Sequence, residues 1–308
     1  MLSKSQLEYI LALHEYKNFV KASEACFVTQ PTLSMQLKKA EVLLGNALFD
    51  RDKNPVEMTS YGKKLLPYFR QVLESYQLLS DEVARIKGTY KAEIRLGVIP
   101  TIADYLVPTF YNKWRSELAG VHLEIIELKS EDLIQALEER KIDLGILAGP
   151  ILNSSSNAQI LFNEAIKIYA PQVAASELTI SELEHLKPWL LSQGNCLRTQ
   201  MMNFCNLDSQ QTTDDWSYEG GSLSILLQMV DQQGGYTLIP ENYIALLKLP
   251  PTAIKSIKNH QPARQIIAIE NNRNTKKNHL DQLKRIIQHE MNQKTSVDNT
   301  KMTLLPWK

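Results

Sequence analysis

Leu7, Ile10, Leu11 and His14 recur at i, i+3, i+4 and i+7, the spacing of one helix face. Lys17-Asn18 breaks that pattern. The compact run Val20–Cys26 comes next, with Ala22 and Ala25 small enough for close helix packing. Phe27-Val28-Thr29 reads as a turn. In the next segment Leu33, Leu37, Ala40 and Leu44 are spaced 4, 3 and 4, a buried helical stripe. Thr29 can cap this helix, and Pro31 falls in its first turn, where a missing N–H costs little. Gly45 stops it. Its opposite side carries Pro31, Met35 and Lys38, flanked by Thr32, Ser34 and Lys39. Hydroxyls near a helix start can meet base edges, and lysines further along can hold phosphates. An ordinary helical pair with a polar outer face would look the same on periodicity alone.

From Thr59 the register becomes that of a long helix. Leu65, Phe69, Val72, Tyr76, Leu79, Val83 and Ile86 are spaced alternately 4 and 3. That is the a/d seam of a two-helix interface, here assigned to dimerisation. Pro67 should kink this helix or mark a restart. Gly88 ends it and is the expected hinge to the second half of the chain.

Beyond residue 91 strand and helix patterns alternate. Glu93–Ile99, His122–Leu128 and Asp143–Leu147 read as strands, with helices over Thr101–Ser116 and Ser130–Arg140 between them. Such repeats imply a parallel sheet. After a polar loop at Asn153–Asn157 a second set is expected. Its strands are Ala165–Tyr169, Leu190–Ser192, one near Trp216–Tyr218, Tyr236–Ile239 and Arg264–Ile269. Its helices start at Cys196 and cover Ser222–Gln232 and Lys276–Met291. The remainder, 292–308, lacks a pattern until Leu304-Leu305-Pro306-Trp307 and is expected to be disordered.

Composition narrows the class. Hydrophobic residues make up 44% and charged residues 22% of the 308, an ordinary globular balance. There is no run of eighteen apolar residues, and the opening residues do not read as a signal peptide, so a cytoplasmic protein without a membrane partner is expected. Lys+Arg and Asp+Glu both total 34, which argues against coating nucleic acid by bulk charge. Residues 1–70 hold ten Lys/Arg against seven Asp/Glu, a small local excess. Three cysteines suit neither a disulfide scaffold nor a zinc site, and no cofactor or metal is expected. No nucleophile elbow or Gly-rich phosphate loop supports an enzyme.

The string ASEACFVTQPTLSMQLKKAEVLLGNALFDR (22–51), followed by MTSYG (58–62), closely resembles the winged helix-turn-helix of LysR-type transcriptional regulators. The resemblance implies a helix-turn-helix over Val20–Leu44 and a wing over Phe49–Met58, with Arg51 on the DNA backbone. With the groove face, the DNA-contacting set is Thr29, Gln30, Pro31, Thr32, Ser34, Met35, Lys38, Lys39 and Arg51. The α/β half resembles the two-lobed, periplasmic-binding-protein-like, Rossmann-type sensor of the same family. The implied organisation is 1–58 DNA-binding, 59–90 linker helix and 91–292 sensor, then a flexible tail 293–308. Lobe I would hold 91–163 and 267–292, and lobe II 164–266. A cleft between them would lie beyond strand ends, where Thr101 and Ser130 fall; each hydroxyl could equally cap the following helix.

Gly194-Asn195-Cys196-Leu197-Arg198, then Cys205, concentrates the remaining chemistry. Asn195 can cap a helix and put Cys196 in its first turn, where the helix dipole and Arg198 favour a thiolate. A thiolate attacks peroxide oxygen to give a sulfenic acid. Nine helical positions hold Cys205 about 13.5 Å away in rise, beyond the roughly 7 Å Cα separation a disulfide tolerates. Spacing alone is equally met by two buried cysteines acting as small hydrophobes. The string GNCLRTQMMNFC, with LGVIPTIADYLVP (96–108), resembles the peroxide-sensing branch of the LysR family. That resemblance implies Cys196 as the peroxide-reactive residue and Cys205 as its disulfide partner. It implies a peroxide-binding set of Thr101, Ser130, Arg198 and Thr199. Thr199 stands where relatives often have Asp, Ser130 where Thr is commoner, and Ser217 where His is common. Cys26 is expected to be a packed core thiol. Promoter DNA, RNA polymerase and further copies of the chain, as a dimer assembling to a tetramer, are the implied partners. A LysR-type regulator for a small organic ligand, with inert cysteines, is the alternative.

Overall fold

The computed structural model describes residues 1–149, 157–207, 220–271, 276–294 and 302–305. The chain divides into two compact units, 1–90 and 91–308. The first contains α1 (Lys4–Tyr16), α2 (Phe19–Ala25) and α3 (Gln30–Leu44), a hairpin of β1 (Phe49–Asp50) and β2 (Glu57–Met58), and α4 (Ser60–Ile86). Leu7, Ile10 and Leu13 of α1, Ala22 of α2 and Leu33, Leu37 and Ala40 of α3 form its core, with Leu48, Phe49 and Met58 from the hairpin. The stripe expected on α3 is thus the buried one, except that Leu44 is only half-buried. Thr29 caps α3 by accepting from the Thr32 N–H, and Gly45 ends it at a φ of 75°. Gly62 permits the hairpin to close on α4: a β-carbon there would lie 2.6 Å from Met58 Cγ and 2.7 Å from the Leu48 carbonyl oxygen.

The heptad seam of α4 divides in two. Phe69 is buried in this unit's own core, and Leu65 is half-buried against it. The start of α4 packs on α1 and on the hairpin strand β2, which is what buries Phe69 here. Further along, Val72, Tyr76, Leu79, Val83 and Ile86 are 40–80% exposed. The helix also continues through Pro67 as one element rather than restarting.

The second unit runs β3 (Ala92–Val98), α5 (Pro100–Glu117), β4 (Val121–Glu127), α6 (Ser130–Glu138), β5 (Leu144–Gly149) and β6 (Asn157–Tyr169). Then come β7 (Glu177–Leu178), α7 (Ile180–Leu183), α8 (Cys196–Phe204), α9 (Leu223–Gln233), β8 (Thr237–Pro240), α10 (Glu241–Leu247), β9 (Ile254–Ile257), β10 (Gln261–Glu270), α11 (Lys277–Lys294) and β11 (Met302–Leu304). The strand order is β4-β3-β5-β10-β6-β9-β7, with β8 on β6 and β11 on β10. The parallel set β4-β3-β5 comes from the first βαβ repeats, and their connecting helices carry Thr101 and Ser130 at its ends. Two long antiparallel strands, β6 and β10, run through both halves of this two-lobed α/β unit, with a register shift at Ile266/Ile267.

Several expectations are corrected. The strand at Leu190–Ser192 is absent; Pro188 makes only an isolated bridge with Tyr236. Strand β6 is longer than Ala165–Tyr169 because its first half pairs with β10. The tail is not wholly unstructured. Strand β11 pairs parallel with β10 at Gln261–Ala263, and Leu305 is 5% exposed. Its N–H donates to the Ala263 carbonyl (2.8 Å), so free backbone on β10 and an apolar site together hold it. The Trp216–Tyr218 strand, Ser217, most of the Asn153–Asn157 loop, and the tail at 295–301 and 306–308 lie outside the described residues. Among the described residues no helix is long and apolar enough to cross a membrane.

Candidate redox site

Cys196 opens α8 and is 2% exposed. Asn195 occupies the cap position but makes no capping bond; its Nδ2 donates to the Ser192 carbonyl (2.9 Å) and Ser192 Oγ (3.1 Å) instead. Around the sulfur stand the Ser130 hydroxyl, the backbone N–H groups of Ala148 and Leu197, and the Arg264 guanidinium. Each favours the thiolate. Burial opposes them and prevails, so the Cys196 thiol is pushed above its ordinary range. The helix start and a nearby arginine are expected to lower this thiol; burial outweighs such influences here.

Thr101 and Ser130 are both buried, at 2% and 1% exposure. Neither caps its helix. Thr101 Oγ1 accepts from Arg264 Nη1 (2.8 Å) and its carbonyl from Nη2 (2.9 Å). Ser130 Oγ lies beside the Cys196 sulfur, on which it acts as a donor, and among the described residues it meets strict hydrogen-bond geometry with no nitrogen or oxygen. A buried hydroxyl whose acceptor is a sulfur is weakly satisfied, and a small polar molecule bound there would offer it a stronger one.

Arg264 is a site residue that the sequence motifs do not reveal. Its side chain is fully buried and paired with Glu164 Oε2 at 2.8 Å. Glu164 also accepts from Tyr105 Oη (3.2 Å) and from Asn242 N and Nδ2 (3.3 and 2.8 Å). One signal does point to it: an arginine inside the apolar run of β10 is seldom buried unless paired. The cation assigned to the sulfur, Arg198, is elsewhere. It is half-buried and donates to the Leu191 carbonyl at 2.8 Å, beside a small crevice lined by Trp189, Leu197 and Met201. Thr199 is half-buried, its N–H directed at the Asn195 carbonyl (3.4 Å).

Cys205 ends the same helix, fully buried, and both thiols are free. The intact α8 between them has the length that forbids a disulfide without rearrangement. Burial pushes the Cys205 thiol up from 9.0 to about 11, against a lowering by the neighbouring Tyr236 hydroxyl. A raised thiol pKa stabilises the fold fully below pH 9.0 and progressively less as pH climbs towards about 11. Cys205→Ala should therefore flatten the alkaline fall in unfolding free energy by about 2 kcal/mol, read by denaturant titration across that window. An equal alkaline fall in both proteins would show that Cys205 does not carry it. Cys26 is half-buried rather than fully packed, and its thiol is also raised, by burial and then by Glu8.

In the first unit Thr29, Gln30, Pro31, Met35, Lys38 and Lys39 are exposed, while Thr32 and Ser34 are half-buried. Thr32 Oγ1 lies 2.8 Å from Thr29 Oγ1. Arg51 is tied to Glu41 (2.7 Å), whose other oxygen accepts from the Leu48 and Phe49 N–H groups, so its guanidinium is anchored beside α3.

A helix-turn-helix unit followed by a two-lobed α/β unit is the architecture of a DNA-binding transcriptional regulator. Residues 5–63 match the family model of the bacterial regulatory helix-turn-helix protein of the lysR family, and residues 87–292 match the LysR substrate binding domain. The chain belongs to the LysR family. It is 32% identical over 252 residues to the DNA-binding transcriptional dual regulator OxyR of Escherichia coli K12, covering 80% of this chain and 79% of that one. It is 30% identical to the hydrogen peroxide-inducible genes activator of Haemophilus influenzae, covering 76% of this chain and 79% of that one. Full-length OxyR from Pseudomonas aeruginosa, solved as a variant, shares the fold with a TM-score of 0.73 at 24% identity, covering 94% of this chain and 98% of that one.

Proposed function

We propose that this chain is a hydrogen-peroxide-responsive regulator that binds promoter DNA and switches by a Cys196–Cys205 disulfide. The supporting observation is Cys196 buried beside the Ser130 hydroxyl and the Arg264 guanidinium, with Cys205 at the far end of the same helix. Peroxide lies between the Ser130 hydroxyl, which donates to it, and the Cys196 sulfur. Arg264, Ser130 and the Ala148 N–H then favour the thiolate as its proton passes to the leaving oxygen. Sulfur attacks one peroxide oxygen, the O–O bond breaks, and Cys196–SOH and one water result. Cys205 attacks that sulfur; the S–S bond forms and the hydroxyl leaves as a second water. Thr101 holds Arg264 in place, and Arg198 and Thr199 belong to the segment that remodels.

The same reading assigns 1–58 to DNA binding, 59–90 to a linker and 91–292 to the sensor, with lobes 91–163 plus 267–292 and 164–266. The α3 groove face, with Arg51 on the backbone, reads the duplex. The exposed part of the α4 seam joins two chains, and dimers assemble to tetramers in the cytoplasm. RNA polymerase is the partner that reads the switch at the promoter. DNase footprinting with and without low peroxide tests this. The wild-type footprint should change on oxidation and the Cys196→Ser footprint should not. A Cys196→Ser protein that still switches would make an organic effector the better reading.

A further inference from the structure

Phe27 occupies a position that neither the backbone nor the core asks of it. It closes α2 with a φ of 55°, in the left-handed region. Its N–H donates to the Glu24 carbonyl and the Val28 N–H to the Ser23 carbonyl, both at 3.0 Å, the paired bonds of a Schellman-type helix end. Glycine adopts that conformation without strain, and an aromatic residue does not. The ring gains nothing in return from packing, being 96% exposed. Backbone and solvation thus both favour replacing it.

Its place in the chain supplies a use. Val28 turns inward, and Thr29 then caps α3, whose exposed Gln30, Pro31, Met35, Lys38 and Lys39 form the outer face of a lysR-family helix-turn-helix. Lys21, on α2, is exposed as well. Phe27 therefore stands three residues before Gln30, the first residue of the helix that such modules lay in the major groove. The thymine C5-methyl is an apolar mark on that groove's wall, read by apolar side chains rather than by lysines.

We propose that Phe27 is a DNA-contacting specificity residue whose ring packs on thymine methyl groups at the edge of each half-site. This rests on the DNA-binding role of the first unit and is independent of the redox chemistry. Phe27→Gly in the full-length chain separates the two accounts of the residue by sign. The probe is a duplex selected by the reduced wild-type protein from a randomised pool, remade with single dT→dU exchanges. The variant should melt at a higher temperature than wild type, because strain is removed, yet bind the selected duplex about 5- to 20-fold more weakly. One or two dU exchanges per half-site should weaken wild-type binding about 3- to 10-fold and leave the variant's binding unchanged. Equal affinity of the two proteins overturns the proposal, and so do equal dU penalties in both. Failure of the wild type to select any duplex would instead strike the DNA-binding role itself, a different outcome from either.

Discussion

Replacing Arg264 with Leu should cost the second unit about 3–5 kcal/mol and slow the reaction of Cys196 with peroxide by at least about tenfold. The stability loss arises from the group left behind. Glu164 would keep its donors from Tyr105 and Asn242 but would be a buried carboxylate without its guanidinium partner. The rate loss arises from the sulfur's surroundings, where Arg264 is the leading influence opposing burial. Without it the thiol rises further above its ordinary range, and less thiolate forms at neutral pH. The two effects separate in the double variant Arg264→Leu, Glu164→Leu. It should regain much of the stability, because no unpaired charge is left, and none of the rate. Chemical denaturation and stopped-flow oxidation read the two. A double variant that recovers both would assign Arg264 a purely structural part.

Charging the outer half of α4 should dissolve the proposed dimer without unfolding the chain. Leu79 and Val83 are 64% and 40% exposed in the isolated chain, so Leu79→Glu with Val83→Glu costs the monomer little. Across a two-helix seam the same change puts unpaired charge into an apolar contact. A loss of about 3 kcal/mol or more, roughly 100-fold or more in dimer affinity, should lower the mass in sedimentation. Phe69→Glu is expected to behave differently and unfold the first unit, since its side chain belongs to that unit's core. An unchanged mass for the Leu79/Val83 variant would place the dimer contact elsewhere.

The elements with strong periodicity are legible in the sequence. The α3 stripe, the βαβ repeats and the helix beginning at Cys196 depend on local spacing, which a single chain displays directly. Resemblance to a family then joins Thr101, Ser130 and the cysteines. The features that stay hidden depend on tertiary packing. Phe69 looks like its seam neighbours until α1 and the hairpin are placed against α4. The tail looks polar until β10 offers backbone to pair with. Arg198 stands two residues from Cys196 in sequence, yet Arg264, 68 positions away, faces the sulfur. Helix rotation carries the near arginine to the Leu191 carbonyl, whereas β10 brings the distant one across. The raised pKa of the thiol is hidden for the same reason: a helix start favours a thiolate only as far as burial allows.

Mass spectrometry of the 194–205 segment, before and after one equivalent of hydrogen peroxide, tests the switch most directly. Reduced protein should yield both thiols alkylated. Oxidised protein should yield Cys196 joined to Cys205, with Cys26 still alkylated. In Cys205→Ser a sulfenate should be trapped on Cys196 alone. Two free thiols after full consumption of peroxide, or oxidation appearing first on Cys205 or Cys26, would contradict the assignment of Cys196 as the sensor.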